Sequence, residues 1–68
     1  MDACDIKKLK GVEYVTWFET VNGIRTGYRM GYKITRVNYK RARVWGTPVN
    51  SPLWTHNSIE LNLSQIEI

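Results

Sequence analysis

The chain holds few groups with which to cross-link, ligate or catalyse. It has one cysteine, Cys4, and one histidine, His56. A lone thiol excludes an internal disulfide and suits a reducing compartment. A lone imidazole with no second ligand at metal-binding spacing reads as a surface or hydrogen-bonded group. There is no Ser-His-Asp or Cys-His set, no pair of carboxylates on one element and no Gly-rich phosphate loop, so the sequence reads as a non-enzyme that needs no cofactor or metal. No apolar run approaches the roughly 18 residues of a membrane span, and residues 1–10 lack the hydrophobic stretch of a secretory signal. The expectation is a soluble, cytoplasmic protein without a membrane partner.

Acid is missing from a long interval. Asp2, Asp5, Glu13 and Glu19 precede it, and Glu60 and Glu67 follow it. Between them stand Arg25, Arg29, Lys33, Arg36, Lys40, Arg41 and Arg43, most of the basic residues of a chain with net charge +4. Such a block makes a positive surface. Arg in particular carries a planar fork that suits phosphates and base edges. With 68 residues the chain is one domain, residues 1–68, near the lower size limit for folding without a disulfide. Its three Trp, four Tyr and one Phe are therefore needed for the core, and oligomerisation is a further source of stability.

The stretch from Tyr32 to Gly46, YKITRVNYKRARVWG, joins a hairpin signal to the densest positive charge. With Tyr39 and Lys40 as its tip, Val37 faces Ala42, Arg36 faces Arg43, Thr35 faces Val44 and Ile34 faces Trp45. One face then holds Thr35, Val37, Ala42 and Val44, suited to a core. The other holds Tyr32, Ile34, Arg36, Arg41, Arg43 and Trp45. Two opposed guanidinium groups repel, and either an acid such as Glu60 or Glu67 or an anionic partner offsets the repulsion.

Elsewhere the pattern is also that of short strands. Ile6 and Leu9, three apart, fit one helical turn over the end of a barrel, with Asp2 or Asp5 near its start; Lys7, Lys8 and Lys10 beside them read mainly as a solvated charge run. Residues 12–21 read as a strand closed by Asn22-Gly23, a type I′ turn signal. That turn places Val15, Trp17, Val21, Ile24, Tyr28 and Met30 on a core face and sets Phe18 against Gly27, with Arg25 and Arg29 outside the core. Gly27 and Gly31 mark a bend. Residues 47–57, with both prolines, read as a loop in which Leu53 and Trp54 either pack across the barrel mouth or offer a stacking surface. Ile59, Leu61 and Leu63 alternate as a half-buried strand, Ser64-Gln65 turns, and residues 66–68 close as a short paired strand.

The segments KGVEYVTW, GIRTGY, YKITRVNYKRARVWG and IELNLSQIEI, spanning residues 10–68, together resemble the SH3-like small barrels, including the KOW and Tudor-like groups. The resemblance implies an all-β, five-stranded SH3-like barrel with a short N-terminal helical turn; an OB-like barrel is the alternative. The chain is also similar in style to small accessory proteins of phages and mobile elements. Two functions are expected. In the first, the chain is a nucleic-acid-binding or nucleoprotein-associated module, weak and indifferent to sequence. Arg36, Lys40, Arg41 and Arg43, with Arg25 and Arg29, neutralise phosphates, and Trp45, Tyr39 and Tyr32 stack on bases. In the second, the same face docks on an acidic protein surface, as an accessory protein that modulates a host protein. Self-association through an open sheet edge gives a homo-oligomer in either case.

Overall fold

A computed structural model of the chain describes residues 1–50 and 57–68. A 3-10 helix, Ala3–Leu9, precedes β1 (Tyr14–Val21), β2 (Ile24–Asn38), β3 (Arg43–Pro48) and β4 (Ile59–Leu61). A 3-10 turn, Leu63–Gln65, then leads into β5 (Ile66–Glu67). All the strand pairs are antiparallel and the sheet order is β4-β3-β2-β1-β5. The fold is all-β with five strands and a short helical start, as the sequence pattern indicates. The two outer strands, β4 and β5, are not paired with each other, so among the described residues the sheet does not close on itself.

Local chemistry accounts for the junctions. Asn22 and Gly23 both take positive φ, 54° and 79°, as a type I′ turn requires. The backbone N–H of Asp2 donates to the Asp5 carboxylate at 3.4 Å across the first helical turn, and Ile6 and Leu9 on one side of that helix are buried. The Asn62 side chain accepts from the Ser64 N–H at 3.0 Å, which fixes the turn that redirects the chain into β5. Ile66 is fully buried, so this two-residue strand is held by its side chain as well as by pairing to Thr16 and Trp17.

The core is small: Ile6, Leu9, Val15, Tyr32, Val44, Leu61 and Ile66, with Met1, Val12, Trp17, Met30, Ile34, Val37, Ala42 and Leu63 packed around it. Gly46 lies within it because no side chain fits: a Cβ there would stand 2.9 Å from the Lys33 carbonyl oxygen and 3.1 Å from Leu61 Cδ1. Its backbone is the close approach between β2, β3 and β4.

Three expectations from the sequence are corrected. First, the central hairpin turns through residues 39–42, not at Tyr39-Lys40 alone. Asn38 pairs with Arg43, Val37 with Val44 and Arg36 with Trp45. Ala42 takes φ 55°, and Asn38 Oδ1 accepts from the Arg41 N–H at 3.1 Å, so the turn closes on its own polar groups. A bulge at Thr35 then shifts the register, so Ile34 pairs with Gly46. The bulge reverses the alternation, and Tyr32 and Ile34 point to the core while Arg36 points out. Thr35 also leaves the core, its hydroxyl bonding the Ser58 hydroxyl at 2.7 Å.

Second, a bulge in the first hairpin places Thr26, Gly27 and Tyr28 against Glu19, so Phe18 pairs with Arg29 and not with Gly27. The Thr26 hydroxyl donates to Glu19 at 2.8 Å and accepts from the Tyr28 N–H at 3.3 Å, with Gly27 at φ 97° between them. Third, Val21, Ile24 and Tyr28 are exposed, at 57%, 72% and 52%. They keep the face parity of the core, but β5 reaches β1 only at Thr16 and Trp17, and β3 reaches β2 only from Tyr32 onward. Beyond those limits the β1–β2 hairpin projects as a two-stranded ribbon with no further strand of the described residues laid beside it. Thr47 and Pro48 complete β3 and do not belong to the following loop, while Leu53, Trp54 and His56 lie outside the described residues.

Candidate functional site

Strand alternation puts one set of side chains on the sheet face opposite the core. Along β2 these are Arg25, Arg29, Lys33 and Arg36, all exposed. Neighbouring strands add Phe18, Thr16 and Thr20 from β1, Trp45 and Arg43 from β3, Glu60 from β4 and Glu67 from β5. At about 3.3 Å of rise per residue, Arg25 and Arg36 are separated by most of the 34 Å length of the molecule. The basic residues therefore form a stripe down one long strand and do not converge at a point.

The two ends of the stripe are built alike and finished differently. At the ribbon end the Arg25 guanidinium lies 4.0 Å from the Phe18 ring centroid and donates to Glu67 Oε1 at 2.7 Å. Hydrogen bonding from Arg25, reinforced by its charge, holds the Glu67 carboxyl below its ordinary range. At the other end the Arg36 guanidinium lies 4.9 Å from the Trp45 centroid. Arg36, Arg29 and Lys33 have no carboxylate partner among the described residues. Arg43 is loosely paired, its Nε 3.9 Å from Glu60 Oε2, with both side chains about half exposed.

The residues expected to bind are thus only partly brought together. Arg36, Arg43 and Trp45 share the outer face in the body of the sheet, with Arg25 and Arg29 on the ribbon. Tyr39, Lys40 and Arg41 stand exposed in the turn beyond the end of β2. The opposed Arg36–Arg43 pair does not exist, since the shifted register gives Arg36 the Trp45 ring as its neighbour. Tyr32 is removed from the surface: it is 5% exposed, packs edge-on against Trp17 at 6.2 Å, and burial pushes its phenol above the ordinary value. Lys33, absent from the expected binding set, stands between Arg29 and Arg36 on the stripe; its place four residues from Arg29 in an alternating strand was the available signal.

Around the turn, Arg41, Ala42, Arg43, Glu60, Leu61, Asn62 and Leu63 line an open concavity of about 450 Å³. Metal-type ligands gather elsewhere, at the helix start, where the ligand atoms of Asp2, Cys4 and Asp5 lie within 4.8 Å of one another. Lys8 at 3.3 Å and the Asp2 N–H already engage Asp5 and hold its carboxyl below the ordinary range, so that group is explained by the helix itself. Among the described residues no helix is long and apolar enough to cross a membrane. Compared with family models, curated proteins and solved structures, the chain matches none.

Proposed function

We propose that the chain is a nucleic-acid-binding module of SH3-like architecture, using the outer face of its sheet. The architectural part is supported by the strand order, with β5 beside β1, and by the 3-10 turn that immediately precedes the last strand. The functional part is carried by one observation: Arg36 stacks on Trp45 with no acid to neutralise it, in line with the equally unpaired Lys33 and Arg29. A line of free cations beside an aromatic platform tracks a single-stranded backbone, with phosphates on the stripe and a base on the guanidinium–indole stack. Phosphate contacts of this kind release counterions and carry little sequence information. With about three phosphates engaged, affinity for a labelled single-stranded oligonucleotide falls roughly twentyfold between 50 and 200 mM salt. Fluorescence anisotropy at the two salt concentrations measures this, and binding that is absent at micromolar protein or unmoved by salt would discard the reading.

The second reading is an accessory protein that docks the same face, whose Arg and Trp are residue types enriched at protein hot spots, on an acidic protein surface; the exposed Val21, Ile24 and Tyr28, on the opposite side of the ribbon, offer a protein partner further apolar contact. A partner captured by the chain and retained after nuclease treatment favours it.

A further inference from the structure

One row of the outer face combines three unlike groups. Arg36 on β2, Trp45 on β3 and Glu60 on β4 are successive cross-strand neighbours. Glu60 is the acid that ends the long acid-free interval, and it stands next to the aromatic platform, where it weakens attraction for phosphate. If its role were to neutralise Arg43, a short two-pronged pair would be expected. Instead the contact is a single approach at 3.9 Å with the carboxylate 48% exposed. Glu60 also forms part of the wall of the 450 Å³ concavity, together with Arg43 and Asn62, so its side chain borders open space on the side away from Arg36 and Trp45, which do not line that concavity.

We infer that Glu60 reads the edge of a base stacked on the Arg36–Trp45 pair, so that the module prefers bases bearing an exocyclic amino group over thymine and uracil. The inference rests on the nucleic-acid reading above. A carboxylate only accepts hydrogen bonds, as from the amino group of cytosine. Cytosine and adenine offer an amino donor beside a ring-nitrogen acceptor, which matches a carboxylate beside the Arg43 N–H groups. Thymine and uracil invert that order, with a carbonyl oxygen in place of the amino group and a ring N–H in place of the acceptor nitrogen, so the oxygen opposes the carboxylate and the N–H opposes the arginine. The arrangement thus adds a chemical preference to binding that is otherwise backbone-driven.

Ten-residue oligomers of dC, dA and dT, titrated against the wild-type chain and against Glu60→Gln, test it. The wild type is expected to bind dC and dA about fivefold or more tighter than dT. Glu60→Gln is expected to bind all three more tightly, because a negative charge leaves the stripe, and to reduce the preference below about twofold. A Glu67→Gln chain serves as the control for loss of an acid elsewhere on the face and keeps the preference; a matched thermal melt shows that each variant is folded. Equal wild-type binding to dC, dA and dT, or an undiminished preference in Glu60→Gln, overturns the role of Glu60 while leaving nucleic-acid binding in place. Failure of all three oligomers to bind the wild type overturns both.

Discussion

Arg25 lies over Phe18 on the projecting ribbon, and Arg36 lies over Trp45 in the body of the sheet, yet only the first guanidinium has a carboxylate within hydrogen-bond reach. The difference comes from what flanks each site. β5 reaches β1 only at Thr16 and Trp17, and in doing so it delivers Glu67 to the ribbon's edge. Nearby, the Gln65 side chain donates to the Phe18 carbonyl at 3.2 Å and approaches the Thr20 hydroxyl at 3.3 Å, tying the turn before β5 to the same strand. At the other end β4 places Glu60 beside Trp45 and away from Arg36. A cation on an aromatic ring is therefore part of an ion pair in one setting and without a carboxylate partner among the described residues in the other, and composition alone does not separate the two.

The sharpest way to break the contrast is to remove the strand that creates it. Ile66 is fully buried and anchors β5, so Ile66→Ala should cost about 2–5 kcal/mol and lower the melting temperature by 10 °C or more. A loss below about 1 kcal/mol by thermal or urea unfolding would mean that β5 does not hold the ribbon edge. The next effect is on binding. Reversing Lys33 and Arg36 together to Glu should weaken single-stranded oligonucleotide affinity at low salt by more than about tenfold, whereas Arg25→Glu should change it less than about twofold. Equal losses from the two variants would show that the clasped and free guanidinium groups are equivalent after all.

The smallest effect belongs to the clasp itself. The pair of Arg25 and Glu67 is exposed, and exposed pairs contribute little, so Glu67→Gln should leave the melting temperature nearly unchanged while releasing Arg25 to strengthen oligonucleotide binding slightly. Its pH signature has a fixed sign. The folded Glu67 carboxyl is held below its unfolded value of about 4.3 by Arg25. Its contribution is present above that value and disappears only as the pH falls through the lower, folded one. A carboxyl titration followed by NMR in wild type and Arg25→Ala checks this, and a Glu67 midpoint that does not rise in Arg25→Ala would remove the clasp.

Much of the fold was legible because its signals are local. Asn22-Gly23 demands positive φ, Ile6 and Leu9 are spaced for one helical face, and Ile59 and Leu61 alternate as a strand does, although Leu63 passes into the 3-10 turn. The site was legible in part. Arg36, Arg43 and Trp45 were assigned to the outward face, and they stand there, because the two-residue change in hairpin register preserves parity. Tyr32 and Ile34 were assigned to the same face and lie inside, because the single extra residue at Thr35 inverts parity on one side of it. No residue type marks such a bulge. The exposure of Val21, Ile24 and Tyr28 was equally hidden, since apolar alternation shows which face a side chain takes and not whether anything covers that face.

The amino-acid order by itself determined that the chain builds antiparallel strands, where its tightest turn falls, and that cations without intervening acid crowd its middle. These follow from backbone preferences and residue spacing, which act over a few positions. Only the tertiary structure decided which cations are free. Glu67 meets Arg25 across 42 positions of sequence, and Glu60 meets Trp45 across a strand pairing, so the electrostatic fate of each arginine depends on which distant strand is laid beside it.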